Sequence, residues 1–235
     1  MKHLLSYLKS IDQAWLATWV LIYVGFVVLD AFFPGFFGIT VLKMLGIILC
    51  VVYAWRKFKH DPLLIIALSL TLLADTFLAI NNTSVFGVVT FCFAQFFHTS
   101  RLNRTRPSFL AIYFMFVALA LLAAYLLKIN PMYVLGIIYG YGLLTNLYLS
   151  ARWYFKERTV PATCAFFGFL LFLCCDTCVG LSYLSVTAVL PAIIHPFADY
   201  FAWVFYYPSQ VLISNSTTKP FRLTPKNRKK VVKTH

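Results

Sequence analysis

The chain has 235 residues, of which 61% belong to the hydrophobic set and only 11% are charged. A soluble domain carries about 45–50% apolar and about 25% charged residues, so this composition excludes an ordinary water-soluble enzyme and a largely disordered chain. The net charge of +13 sits between apolar runs, which points to a membrane surface and away from nucleic acid.

A helix needs roughly 20 mostly apolar residues to cross about 30 Å of hydrocarbon. In chain order, eight segments meet or approach that length: 15–33, 36–55, 62–80, 85–99, 108–127, 132–149, 160–184 and 193–213. Each is expected to be helical, because lipid offers the backbone no hydrogen-bond partner. The fourth is short, as suits a thinned or partly covered span. The first lacks a small-residue cleavage site and is read as retained. The predicted fold is therefore all-α, a polytopic bundle of eight transmembrane helices.

The basic residues order these spans. Lys2 and Lys9, the connections 56–61, 101–106 and 152–158, and the stretch after Ser214 hold all the Lys and Arg except Lys128 and Lys43. The positive-inside rule then places both termini in the cytoplasm, with an even number of spans. Residues 1–213 read as one membrane domain. Residues 214–235 read as a basic, disordered cytoplasmic tail held near anionic lipid.

Asp30, Lys43, Asp75, Asp176 and Asp199 lie within spans, joined by His98 and His195. Each intramembrane charge costs on the order of 3 kcal/mol and commonly marks function. With the orientation above, Asp30, Lys43, Asp75, Asp176, His195 and Asp199 fall in the outer half of the membrane, and one polar cavity is expected there. His98 and Gln210 lie at the inner ends, with His98 read as interfacial. Asp30 and Asp199 are close enough to helix ends to snorkel or cap. Lys43 reads either as the counter-ion of one Asp or as a ligand for phosphate. His195 and Asp199, four apart, share a helix face and fit a metal pair as well as a polar contact. Cys175 and Cys178 form a C-x-x-C inside an apolar helical run, with no second pair to complete a zinc site, and read as packing residues. The sequons within 81–84 sit too near the membrane to read as glycosylated.

A short repeat links the two deepest carboxylates. Residues 72–80 read LLADTFLAI and residues 173–181 read LCCDTCVGL. Each run is followed by a span with an aromatic residue, three others and a glutamine: Phe91 to Gln95, and Tyr206 to Gln210. This suggests two four-helix halves, 15–99 and 108–213, related by an axis along the membrane normal. Asp75 and Asp176 would then face each other across the interface.

These stretches resemble the YhhN family, which includes lysoplasmalogenases. The resemblance rests on Lys43, Leu72-Leu73-Ala74-Asp75, Gly87 through Phe91 to Gln95, Phe169-Leu170-Leu171-Phe172 through Asp176, and Tyr206 to Gln210 with Val211-Leu212-Ile213, in order and spacing across roughly residues 40 to 213. The chain departs from the family pattern at Ala74 (Gly), Met44 (Pro), Gln95 (His) and Cys175 (Ser). The resemblance implies hydrolysis of the vinyl ether of a lysoplasmalogen to a fatty aldehyde and a glycerophospho-base. Asp75 and Asp176 would be the catalytic pair, one protonated and one ionised. Lys43, Gln95, Asp199, His195, Gln210 and Asp30 would meet the substrate. The implied partners are a lysophospholipid and the bilayer, with no nucleic acid. This route calls for no metal or cofactor. Three alternatives remain open: a transporter or proton-coupled carrier using the same acids, a metal-dependent hydrolase using His195, Asp199 and Asp176, and a polar layer that only holds helices together. No P-loop, G-x-G-x-x-G or G-x-S-x-G accompanies them.

Overall fold

In a computed structural model, residues 13–33, 36–81, 84–103, 107–129, 131–186 and 189–218 are described, and they form helices with no strand. In order these are α1 (Gln13–Phe32), α2 (Phe37–Lys57), α3 (Pro62–Ile80), α4 (Val85–Leu102), α5 (Pro107–Leu127), α6 (Pro131–Glu157), α7 (Val160–Val186) and α8 (Ile194–Ser214). The starts follow local chemistry. Pro62, Pro107 and Pro131 open helices, where a missing N–H costs nothing. The Ser84 hydroxyl accepts the Gly87 N–H at 3.3 Å and caps α4. Lys128 and Arg158, at φ 52° and 46°, end α5 and α6 in the left-handed region.

Five helices, α1, α2, α3, α6 and α7, are long and apolar enough to cross a membrane, and α5 holds a shorter apolar stretch over Ala111–Leu127. Three expected connections begin inside helices. Arg56 and Lys57 lie on α2, Arg101 lies on α4, and Arg152 and Lys156 lie on α6, which runs to Glu157. Arg and Lys are good helix formers, so the last charged turns need not break where the apolar run stops.

Short connections make sequential neighbours antiparallel. α3 packs along α4 and α7 along α8, the most extensive contacts of the bundle. α2 also touches α8, α6 also touches α4, and α5 packs on α6 at the periphery. Advancing every helix by four reproduces these neighbours: α1–α2 becomes α5–α6, α2–α3 becomes α6–α7, and α2–α8 becomes α6–α4. The buried positions agree. Leu64, Ala67, Leu68, Thr71 and Ala74 on α3 correspond, 101 positions on, to Ala165, Gly168, Phe169, Phe172 and Cys175 on α7, all buried. Gly87, Phe91, Ala94 and Gln95 on α4 correspond, 115 positions on, to Ala202, Tyr206, Ser209 and Gln210 on α8, again all buried.

The packed chain also reaches beyond residue 213. Ser214 and Ser216 are fully buried, with Asn215 and Thr217 nearly so. Arg101, itself 0% exposed, donates from Nη1 to the Ser216 carbonyl and hydroxyl. Asp61 Oδ2 accepts the Thr218 N–H at 3.0 Å and the Thr217 and Thr218 hydroxyls at 3.1 and 3.2 Å. The sequence placed this strap in a disordered tail, and the correction has a plain cause. Two charges buried at this end require polar partners, and the run Ser-Asn-Ser-Thr-Thr supplies them. Residues 219–235 lie outside the described residues.

Candidate active site

Asp75 lies in the last two turns of α3, buried at 7% exposure. The Tyr206 hydroxyl, from α8, donates to Asp75 Oδ2 at 2.6 Å. Asp176 takes the matching position on α7, where the Tyr139 hydroxyl of α6 donates to its Oδ2 at 2.6 Å. The two carboxyls lie within electrostatic reach of each other. Cys175, beside Asp176 in the chain, turns its thiol to that carboxyl. Apolar helix faces carry these groups, and each carboxyl therefore depends on a hydroxyl from another helix for its hydrogen bond.

An aromatic band joins the two halves of this site. The Tyr139 ring packs on Phe91 at 5.6 Å, Phe91 on Phe172 at 6.3 Å, Phe172 on Tyr206 at 5.5 Å and Tyr206 on Trp203 at 5.3 Å. At its end, Lys43 Nζ stands over the Trp203 ring at 4.7 Å and pairs with Asp30 Oδ2 at 2.7 Å. The structure pairs Lys43 with the Asp30 carboxylate. The Trp203 ring face adds an electrostatic attraction to the cation.

The other expected members of the cavity separate from it. His195 and Asp199 are exposed near the start of α8. His195 Nδ1 lies 2.7 Å from the Ser182 hydroxyl, a contact that closes the connection from α7 to α8. Tyr206, which meets Asp75, stands seven residues beyond Asp199 and eleven beyond His195 on α8, about two and three turns along the helix, so the outer half of the membrane is too coarse a layer to define one cavity. No three His, Cys, Asp or Glu side chains converge as a metal set among the described residues.

Gln95 and Gln210 are fully buried, one turn beyond Phe91 and Tyr206 respectively. Gln95 Oε1 accepts from Asn146 Nδ2 at 2.8 Å, and Asn146 Oδ1 accepts from the Thr99 hydroxyl at 2.9 Å. His98 is also fully buried, against Phe169 with ring centroids 5.2 Å apart, and not interfacial as expected. At the far end, burial alone would push the Asp61 carboxyl up. The Arg101 guanidinium, the Thr218 N–H and the two threonine hydroxyls outweigh that and hold it below its ordinary 3.8.

Tyr139, Trp203 and Asn146 had no distinguishing mark in the sequence. Tyr206 did, as the aromatic member of the repeated aromatic–glutamine pair.

A family model described as the YhhN family matches residues 38–217, from the start of α2 into the strap after α8. No curated protein and no solved structure matches the chain.

Proposed function

The chain belongs to the YhhN family, and from that premise we propose that this multi-pass membrane protein is a lysoplasmalogenase-like hydrolase that cleaves the vinyl ether of a lysoplasmalogen at Asp75 and Asp176. The observation that carries the reading is the carboxyl pair: two acids from different helices, each held by a tyrosine hydroxyl at 2.6 Å, at corresponding positions of a repeated scaffold.

The chemistry asks for two carboxyls in different protonation states. One acid gives its proton to the alkenyl carbon remote from the ether oxygen, leaving an oxocarbenium ion. The other, ionised, stabilises that cation and takes a proton from the water that attacks it. The hemiacetal so formed collapses to the fatty aldehyde, its hydroxyl proton lost and one proton delivered to the departing glycerol oxygen. The balance is one water consumed for one aldehyde and one glycerophospho-base. Two carboxyls in reach of each other act as a coupled pair, and the proton belongs to the pair before it belongs to either.

The aromatic band from Tyr139 to Trp203 offers an apolar path for the alkenyl chain. Lys43 and Asp30, at the end of that band, offer a cation and an anion to a phosphate and an amino head group. With the basic connections in the cytoplasm, this whole layer faces the outer leaflet.

The test is aldehyde release from a lysoplasmalogen by purified protein in detergent, with and without EDTA. Release is expected to survive EDTA and to fall by at least about 10²-fold in Asp75→Asn and in Asp176→Asn. Normal turnover in either folded variant overturns the assignment. No aldehyde from folded wild type, with proton-coupled flux in proteoliposomes, turns the reading to a carrier.

A further inference from the structure

The polar groups that lead away from the carboxyl pair toward Arg101 are buried without closing on one another. The Gln95 side chain lies beside Tyr139, which holds Asp176, without a hydrogen bond of ordinary geometry from its Nε2 to the tyrosine hydroxyl. That nitrogen has no hydrogen-bond partner among the described residues. One turn on, His98 Nδ1 faces Arg101 Nη2 at 3.4 Å. A guanidinium only donates, so Nδ1 accepts and the ring hydrogen sits on Nε2. His98 Nε2 is also without a partner among the described residues, and so is Gln210 Oε1 on α8. All three side chains are 0% exposed.

These orphans share one region. Phe172 of α7 touches Phe91 of α4 on one side and Tyr206 of α8 on the other. Gln95 and Gln210 stand one turn beyond those two residues, and His98 packs on Phe169, one turn beyond Phe172. Two unmet donors and one unmet acceptor are what a water molecule satisfies, since it accepts twice and donates. Apolar side chains would be far less costly at these positions inside a bundle surrounded by lipid.

We propose that a hydrated polar column lies between α4, α7 and α8, held by Gln95, His98 and Gln210, and that it connects the Asp75–Asp176 pair with the end closed by Arg101 on Ser216. Its role as the source of the water consumed at the pair rests on the hydrolase reading; the column itself does not. Lipid would then reach the carboxyls along the aromatic band and water from the opposite direction, so that neither has to pass the other.

X-ray radiolysis generates hydroxyl radicals from water where it is held and marks the side chains beside it. Full-length protein in detergent is irradiated, and modification is read by mass spectrometry with correction for intrinsic reactivity. Phe169 and Phe172, at 0% and 1% exposure, are expected to be marked severalfold faster than Phe26, which is also 1% exposed but stands on α1 against Tyr23. Phe169 and Phe172 as silent as Phe26 overturn the column, with no variant needed. In Gln210→Leu that melts as wild type, marking of Phe172 is expected to drop; unchanged marking removes Gln210 from the column and overturns the assignment. Marked phenylalanines without aldehyde release sink the hydrolase reading alone. Aldehyde release with silent phenylalanines sinks the column alone.

Discussion

Tyr206 and Tyr139 each give one hydroxyl hydrogen to a carboxylate, so phenylalanine at either position removes one interaction and almost no volume. A hydrogen bond to a charged group is worth about 1.5–3 kcal/mol, which converts to a loss of about tenfold to a hundredfold in aldehyde release. The check is kcat for Tyr206→Phe and Tyr139→Phe in preparations with wild-type melting; rates within twofold of wild type would detach the hydroxyls from the chemistry. Asp61 makes a prediction about pH. The folded state holds its carboxyl below 3.8, so folding favours the ionised form. Its stabilisation is complete above the ordinary carboxylate range and is lost as pH falls through the lowered value. Melting followed from pH 7 down to about 3 should show wild type losing stability at the acid end more steeply than Asp61→Asn; parallel curves would refute this. At this scale the acids were legible, because a charge in an apolar run is conspicuous. Of their tyrosines, Tyr206 carried a mark in the repeated aromatic–glutamine spacing, whereas Tyr139, one of 14 tyrosines in a chain that is 18% aromatic, carried none. Arg101 was misread for a related reason: its sequence neighbours look like a loop, and the partners that let it be buried come from residue 216.

Between elements, closeness depends on small residues. A Cβ added at Gly46 would lie 2.0 Å from Tyr207 Cε2, between α2 and α8, whereas one added at Gly25 meets nothing within 4 Å. Gly46→Ala is therefore expected to cost about 1–3 kcal/mol by overpacking. Gly25→Ala, relieved of the backbone freedom of glycine, should be neutral or gain up to about 1 kcal/mol. Thermal unfolding of both variants in one detergent decides, and equal shifts would contradict the close approach. The eight elements themselves were legible from apolar run length alone. Their ends were less so. Hydropathy reports where lipid stops, while a helix stops where its backbone bonds or its capping chemistry stop, as at Arg158 beyond the charged last turns of α6.

The charge layout orients the whole molecule. In a background cleared of native cysteines, Lys128→Cys should react with a membrane-impermeant thiol reagent added outside, and Arg158→Cys only after permeabilisation; the reverse pattern inverts the proposed topology. Two short Asp-Thr runs suggest a repeat, and several buried positions of α3 and α7, and of α4 and α8, coincide at a constant offset. The expected single polar cavity fails because His195 and Asp199 are exposed and lie about two to three turns along α8 from Tyr206, which meets Asp75. The strap was hidden by composition, since hydroxyl-rich residues after a span read as solvated until the charges they serve are located.

Four helices return the chain to the face it left, so two such units can be joined end to end without either being inverted. The two halves of the present chain are nevertheless not interchangeable. Tyr206 of the second reaches Asp75 of the first, but Phe91, its counterpart, has no hydroxyl to return, and Asp176 is served by Tyr139 from its own half. A chain divided between Asn103 and Pro107 would leave one acid in each fragment, and only reassociation of the two would restore the pair.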